Sequence, residues 1–338
     1  MIRWHRRIAL GFSVLLGIQL LTGVMLVFRD EITAIGLPPA GVHEPHGSLQ
    51  DVRRAAIAVW PRATVAAIQF PSAWTRDFIL RLQDSDKHHL VAVDPRDFSA
   101  ARVGIWGHWL LNISELHEDL LLGLPGRAVT ALNAVALCTL VGTGWYLWWP
   151  RRGGAAFRFP VRAAVRVRLF HWHRSLGAVT GLTLLPGVLT GLMLAVGPFL
   201  PSRMATQPAP AIRTVDDDER LHLARSLFPQ LAVRELRIDR ASGTVTRVVL
   251  RQPGAGLRAP ITDVLFDAKT GRVSYVIEGR ESRGYWSIAA WAFPVHSAQV
   301  GGLPARAALA VTGMLALCVA ILGIWMWSAR RTPGNYSL

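Results

Sequence analysis

The chain contains four long apolar segments that carry no charged residue. They cover residues 8–28, 128–149, 175–202 and 307–329. An α-helix needs roughly 20 residues to cross about 30 Å of hydrocarbon, and each segment meets this length. We therefore predict four transmembrane helices. The first is too long for the apolar region of a secretory signal, and no small-residue cleavage site follows Phe28, so we expect it to remain in the protein.

One long polar segment lies between the first and second helices, and another lies between the third and fourth. Each begins with a helical stretch that stops at a proline, Pro61 or Pro229, and continues in runs that alternate between apolar and polar residues. Such alternation indicates strands with one buried face, so we predict two small external α+β modules. The chain then divides into helix 1 (1–28), module 1 with the approach to helix 2 (29–127), helix 2 (128–149), an Arg-rich loop (150–170), helix 3 (171–202), module 2 with the approach to helix 4 (203–306), helix 4 (307–329) and a tail (330–338).

The net charge of +15 is concentrated in the short connections. The amino terminus, the segment 151–174 and the tail hold twelve arginines and no acidic residue, whereas the two long segments are nearly balanced. The positive-inside rule then places both termini and the middle loop in the cytoplasm and both modules outside. This distribution predicts a protein whose helices contact membrane lipid and whose two modules lie on the side opposite the cytoplasm. It does not indicate nucleic-acid binding.

Two sets of motifs, each containing histidine, occur twice. Trp4-His5-Arg6 and Leu21-Thr22-Gly23 return 168 positions later as Trp172-His173-Arg174 and Leu189-Thr190-Gly191. Residues His117, Gly123-Leu124-Pro125, Arg127 and Trp148 return 179 positions later as His296, Gly302-Leu303-Pro304, Arg306 and Trp327. Because helices 1 and 3 both run outward, we predict two repeats in parallel orientation. Histidines matched in depth indicate a metal cofactor held between the repeats.

The order of these motifs resembles the PepSY-associated transmembrane family. A Trp-His-Arg motif opens a helix that ends in Leu-Thr-Gly, a module closes with a Val-Asp or Phe-Asp turn, and Leu-Pro-x-Arg begins helices 2 and 4. The resemblance covers nearly the whole chain. It implies an iron-regulated inner-membrane protein similar to members that are haem-containing reductases of ferric siderophores.

Four histidines are the candidate axial ligands of two haems. A pseudo-twofold axis along the membrane normal would bring His5 and His173 together near the cytoplasmic face, and His117 and His296 together near the external face. Imidazole suits this role because it binds metals while neutral, whereas charged side chains are costly at depth. The alternative is that each histidine is an interfacial anchor at a helix end.

Two further histidines are substitutes. His171 lies two positions from His173, on a diverging direction of the helix, and its repeat mate is Arg3. His108 precedes His117 and has Ser287 as its mate, so it remains a possible outer ligand or a substrate-side group. The histidines of the modules, His43, His46, His88, His89 and His222, are expected at the surface.

The arginines beside these histidines are candidates for binding haem propionates. Arg6 and Arg174 would do so near the cytoplasmic face and Arg127 and Arg306 outside. Alternatively, the first two set the topology and the other two extend to the membrane surface. Small residues allow close helix packing, including Gly177, Gly181, Gly187 and Gly191 in helix 3 and Gly142 and Gly144 in helix 2.

The two cysteines limit the kinds of cofactor that the protein could bind. Cys138 and Cys318 both lie in predicted helices, which excludes a disulfide framework, an iron–sulfur cluster and the C-x-x-C-H attachment of haem. The haems would therefore be non-covalent haem b.

The function that these features predict is a di-haem oxidoreductase that reduces an external ferric chelate, such as a ferric siderophore, and releases Fe(II). No G-x-G-x-x-G motif occurs in the short loops, so the electron donor would be a separate cytoplasmic carrier or quinol. One alternative is a non-enzymatic protein whose modules bind a peptide or regulate a protease. Transport is less attractive because no predicted helix carries Asp or Glu at its centre.

Overall fold

The computed structural model describes residues 1–35, 37–38, 48–72, 75–85, 87–149, 160–199, 214, 216–253, 261–278 and 285–328. His43, His46, Arg330, Arg331 and residues 150–159 of the Arg-rich loop lie outside this described part. The chain forms two compact units. One comprises Met1–Val27, Ile113–Leu200 and Val295–Leu338, and the other comprises Phe28–Asn112 and Pro201–Pro294.

The described residues form nine α-helices and eight β-strands. In chain order the helices are α1 (Ile2–Leu26), α2 (Arg29–Thr33), α3 (Leu49–Val59), α4 (Ile105–Asp119), α5 (Leu124–Trp148), α6 (Val165–Val196), α7 (Asp217–Leu227), α8 (Tyr285–His296) and α9 (Gly302–Ser328). The strands are β1 (Thr64–Gln69), β2 (Phe78–Asp84), β3 (Lys87–Val93), β4 (Ala100–Arg102), β5 (Ala232–Ile238), β6 (Val245–Arg251), β7 (Thr262–Phe266) and β8 (Val273–Glu278).

Four helices of the first unit are long and apolar enough to cross a membrane, as the sequence predicts. They are α1, α5, α6 and α9, the last preceded by a 3₁₀ turn. The helices α5 and α9 begin before the predicted boundaries at 128 and 307, and α6 begins within the predicted Arg-rich loop. The predicted boundaries follow the start of each charge-free segment, but a helix can begin before that point and include arginine residues. Pro125 also suits the first turn of α5, where its missing N–H costs no hydrogen bond.

The four long helices pack in a ring. Contacts join α1 to α5, α5 to α6, α6 to α9 and α9 back to α1. Small residues lie at these contacts: a side-chain carbon added at Gly313 of α9 would meet Val24 at 2.6 Å, and one at Gly181 of α6 would meet Val141 at 3.3 Å. The ring order places α1 and α6, which are helices 1 and 3 of the sequence, at opposite corners.

The second unit is built on one antiparallel sheet of eight strands. The strand order is β4-β3-β2-β1-β5-β6-β7-β8. The two modules predicted as separate bodies therefore share a sheet, because β1 pairs with β5 through Ala67 with Arg237, Ile68 with Leu236 and Gln69 with Glu235. This pairing satisfies backbone groups that two separate sheets would each leave open at an edge. Alternation along the sequence identified the strands but not their partners.

The helices α3 and α7 cover one face of this sheet and bury its main apolar core. Side chains of both halves meet there, among them Ala56, Leu80, Ala224, Leu236 and Val264. The two helices are also linked by charge, since Arg53 donates to Asp217 at 2.7 Å and to the Gly243 carbonyl at 2.7 Å. The other carboxylate oxygen of Asp217 accepts from the Val245 backbone N–H at 2.8 Å.

We predict that the Asp217→Ala substitution will lower the free energy of unfolding of the sheet unit by about 1–3 kcal/mol. It removes the carboxylate partner of the half-buried Arg53, which keeps only the Gly243 carbonyl, and leaves the Val245 N–H without its acceptor. Leaving such groups unsatisfied costs more than the pair itself contributes. Denaturant unfolding of the detergent-purified protein measures this loss. The control is Arg54→Ala, which breaks only the exposed ion pair with Asp51 and should cost at most about 1 kcal/mol. Equal losses in the two variants would contradict the prediction.

Candidate functional site

The helical unit brings His117 and His296 together. His117 lies in the last turn of α4 and His296 is the last residue of α8. Their ring centroids are 6.0 Å apart and the ring planes are inclined by 44°. A metal–imidazole bond is about 2 Å long and the nitrogen lies about 1 Å from its ring centre, so two imidazoles on opposite sides of one metal have centres about 6 Å apart. The observed separation of 6.0 Å is therefore one at which both imidazoles could hold a single metal ion between them.

His5 and His173 lie on the opposite corners of the ring, in α1 and α6. Both side chains are half-buried among the helices. The structure thus brings His117 and His296 together as the repeat offsets predict, while the pairing of His5 with His173 stays a prediction.

All four imidazoles are held through the same ring nitrogen. His173 Nδ1 lies 2.9 Å from the Val319 carbonyl and His296 Nδ1 lies 2.8 Å from the Gly187 carbonyl. His5 Nδ1 lies 2.8 Å from Thr143 Oγ1. His117 Nδ1 lies 2.9 Å from Thr22 Oγ1. A metal-binding histidine commonly uses its second nitrogen in this way, which fixes the orientation of the ring.

These contacts determine which nitrogen carries the proton. A carbonyl only accepts, so His173 and His296 must each donate from Nδ1. The hydroxyl of Thr143 donates its one proton to the Thr139 carbonyl at 2.7 Å, and that of Thr22 to the Ile18 carbonyl at 2.6 Å. Both hydroxyls are then acceptors for Nδ1–H. Every one of the four histidines therefore has its Nε2 lone pair available to bind a metal.

Burial favours the neutral form of His117 and His296. Burial, with a further contribution from His296, lowers the pKa of His117 to about 4. Burial also lowers the pKa of His296. A neutral imidazole is the form that binds a metal, so the protein environment and the ligand role agree.

Each histidine ring lies against a glycine of a neighbouring long helix. A side-chain carbon added to the glycine would lie 3.1 Å from His117 Cε1 at Gly23, 2.8 Å from His296 Cε1 at Gly191, 3.1 Å from His173 Cε1 at Gly323 and 3.5 Å from His5 Cε1 at Gly144. An added carbon would therefore overlap the His296 ring at Gly191 and crowd the rings at Gly23 and Gly323, whereas the distance at Gly144 is that of an ordinary contact.

This histidine–glycine contact was missed in the sequence, although its signal was present. Gly23 and Gly191 are the last residues of the duplicated Leu-Thr-Gly motif, and Gly144 and Gly323 differ by the same 179 positions as His117 and His296. Sequence reasoning assigned glycines only to helix packing. Glycines that share the repeat offset of the histidines were the clue.

The four arginines that are candidates for binding haem propionates differ in burial and in their hydrogen-bond partners. Arg306 is 6 % exposed and donates from Nε and Nη2 to the Val27 carbonyl, which closes the end of α1. Arg127 forms an ion pair with Glu118 at 2.9 Å. Arg174 donates to the Trp148 carbonyl at 3.3 Å, and Arg6 is exposed. The described contacts give Arg306 a structural role, while the propionate role of the four arginines stays a prediction.

The two substitute histidines have other surroundings. His108 Nε2 accepts from the Leu90 backbone N–H at 3.3 Å, and its ring lies 6.1 Å from that of His89. His108 thus uses the nitrogen that a metal would need. His171 packs its ring against Phe170. Within the described residues, no group of three or more His, Cys, Asp or Glu side chains could hold a metal ion, so the histidine pairs are the candidate metal-binding groups.

These features define a membrane protein with four apolar helices, four histidines that each lie against a glycine of a neighbouring helix, and an antiparallel sheet unit. The chain belongs to the family described as PepSY-associated TM region, which matches residues 2–330. The resemblance seen in the motifs is thereby confirmed over nearly the whole chain. No curated protein matches the sequence.

We predict that Gly191→Ala will destabilise the helical unit by about 1–3 kcal/mol, because the added carbon overlaps the His296 ring and the packed site must shift. Thermal unfolding in detergent measures the effect. Gly142→Ala is the control, since nothing lies within 4 Å of a carbon added there. Alanine favours a helix over glycine by up to about 1 kcal/mol, so this control should be neutral or stabilising. A neutral Gly191→Ala variant would contradict the contact.

Proposed function

We propose that the protein holds two b-type haems, one between His5 and His173 and one between His117 and His296. The observation that carries this proposal is the 6.0 Å separation of the outer rings, together with four Nε2 atoms left as acceptors. Haem supplies reversible one-electron transfer when it is bound. The apolar helices around the rings exclude water, and the Nδ1 contacts hold each imidazole in the form that ligates iron.

We further propose that the protein is a transmembrane oxidoreductase that reduces an external ferric chelate, such as a ferric siderophore. Two ligand pairs at different positions along the helices are what electron transfer between the two faces of a membrane requires. Fe(II) is a softer ion than Fe(III) and is held less well by hard oxygen ligands, so reduction releases the metal. The electron donor is a separate cytoplasmic carrier or quinol, in keeping with the lack of a nucleotide-binding motif.

The proposed location is the inner membrane of a bacterium, with both termini cytoplasmic and the sheet unit periplasmic. The twelve arginines of the short segments support this orientation. The histidine–glycine contacts recur at offsets of 168 and 179 positions. This recurrence supports the parallel repeat, in which helices 1 and 3 run in the same direction.

We expect purified protein to show a Soret band and reduced α-bands of two haems. His117→Ala and His296→Ala should each remove the same haem, and His5→Ala and His173→Ala should each remove the other, because a pair with one imidazole loses one axial bond. Haem content by pyridine haemochrome, with spectra before and after dithionite, measures this. His108→Ala and His171→Ala are the controls and should retain both haems.

Two outcomes would overturn the haem assignment. Protein purified from cells supplied with haem that shows no Soret band would favour the alternative, in which the helices anchor a peptide-binding or protease-regulating sheet unit. Loss of haem in the two control variants, with retention in the four ligand variants, would show that other histidines bind it.

The reductase proposal is tested separately under anaerobic conditions. Protein reduced with dithionite and freed of excess reductant is mixed with ferric citrate or a ferric hydroxamate, and an Fe(II) indicator is present. We expect the reduced α-bands to disappear while Fe(II) accumulates in equal amount. Variants lacking both outer ligands should yield far less Fe(II). Haem that stays reduced with every chelate tried would reject the reductase and leave the haem assignment intact.

A further inference from the structure

The two histidines of each pair are held by different acceptors. In the first half of the chain His5 and His117 donate to threonine hydroxyls, whereas in the second half His173 and His296 donate directly to backbone carbonyls. Each proposed haem would therefore have one hydroxyl-bonded and one carbonyl-bonded imidazole.

The four sites share one arrangement along the neighbouring helix. A carbonyl lies at position n, a side chain that can cover it lies at n+3, and the glycine that faces the ring lies at n+4. These sets are Gln19, Thr22, Gly23; Leu140, Thr143, Gly144; Gly187, Thr190, Gly191; and Val319, Leu322, Gly323. The glycine leaves room for the imidazole near the carbonyl, and the residue at n+3 is threonine at three sites and leucine at the fourth.

Threonine at n+3 inserts its hydroxyl between ring and carbonyl at two sites. Thr22 Oγ1 lies 3.3 Å from the Gln19 carbonyl, and Thr143 Oγ1 lies 3.3 Å from the Leu140 carbonyl. At the fourth site Leu322 has no hydroxyl, and His173 bonds to the Val319 carbonyl itself. The two sites of the first half thus place a threonine hydroxyl on the imidazole, whereas the Val319 site, with leucine at n+3, places the backbone carbonyl on it.

Thr190 shows that a threonine at n+3 is not sufficient. Its hydroxyl donates to the Pro186 carbonyl at 2.7 Å and lies 3.1 Å from the Gly187 carbonyl, which is also the acceptor of His296. In the described part of the chain no hydrogen bond joins Thr190 to a histidine. Threonines in apolar helices commonly satisfy their hydroxyl in this way, and Thr22 and Thr143 do so while also accepting from an imidazole.

We propose that Thr22 and Thr143 are positioning residues that hold the Nδ1–H of His117 and His5 and set how strongly these two histidines donate to iron. This inference rests on the proposed haem ligation. The hydroxyl proton is already donated to the helix backbone, which polarises the oxygen and strengthens it as an acceptor. A strong acceptor on Nδ1–H makes the imidazole more basic at Nε2 and so favours Fe(III) over Fe(II).

The test is a redox titration of Thr22→Val and Thr143→Val in the full-length, haem-loaded protein. Valine keeps the shape of threonine and removes the acceptor. We expect the midpoint potential of one haem to rise in each variant, that of the outer pair for Thr22 and that of the inner pair for Thr143, with the other haem unchanged. Haem affinity at the affected pair should fall roughly 10-fold. Electron paramagnetic resonance of the oxidised haems should show the same selectivity.

Two sets of controls separate the hydroxyl from a general packing effect. Thr22→Ser and Thr143→Ser restore an acceptor and should recover the wild-type potential. Thr183→Val and Thr139→Val remove hydroxyls that bond only to their own helix in the described structure, and both potentials should stay unchanged.

Three results would reject the role of the threonines. These are unshifted potentials in Thr22→Val and Thr143→Val, equal shifts in Thr183→Val, and a loss of haem that serine does not restore. All three presuppose that the wild-type protein binds two haems, so they leave the proposed ligation standing. A wild-type protein without haem would instead reject the proposed function.

Discussion

The candidate site depends on one constraint, which is that an imidazole ring must fit against an apolar helix and still satisfy its N–H. A glycine provides the space and a helix oxygen provides the acceptor, at four places in the helical unit. A side chain in place of the glycine would crowd the ring at Gly23, Gly191 and Gly323. Without the acceptor a buried N–H is left unsatisfied, at a cost of about 1–3 kcal/mol.

The histidine–glycine contacts also join helices that are distant in the sequence. His117, which precedes α5, packs against α1, and His296, which precedes α9, packs against α6. Arg306 joins two such helices as well, because its buried guanidinium closes the carbonyl end of α1. Its repeat mate Arg127 pairs instead with the exposed Glu118. The two halves share the histidine–glycine contacts but differ in the polar groups that support them.

The sheet unit shows a different kind of joining. Strands from both halves form one sheet through the short pairing of β1 with β5, and Arg53 and Asp217 link the helices that cover it. Each half therefore completes the other's sheet edge and its core. This arrangement explains why a segment such as 29–127, which reads as a module in the sequence, is not a separate body in the structure.

The sequence by itself determined the four apolar helices, the strands, the family and which four histidines are the candidate ligands. Helix length, alternation and repeat offset are all properties of position along one chain. Only the tertiary structure decided which nitrogen each histidine uses, that Gly23, Gly144, Gly191 and Gly323 receive the rings, that Arg306 is a helix cap, and that two modules share one sheet. These depend on distances between residues far apart in the sequence. Thr22 and Thr190 illustrate the difference: they occupy equivalent places in a repeated motif, yet only the first contacts a histidine, since that contact is set by how closely each ring approaches its helix.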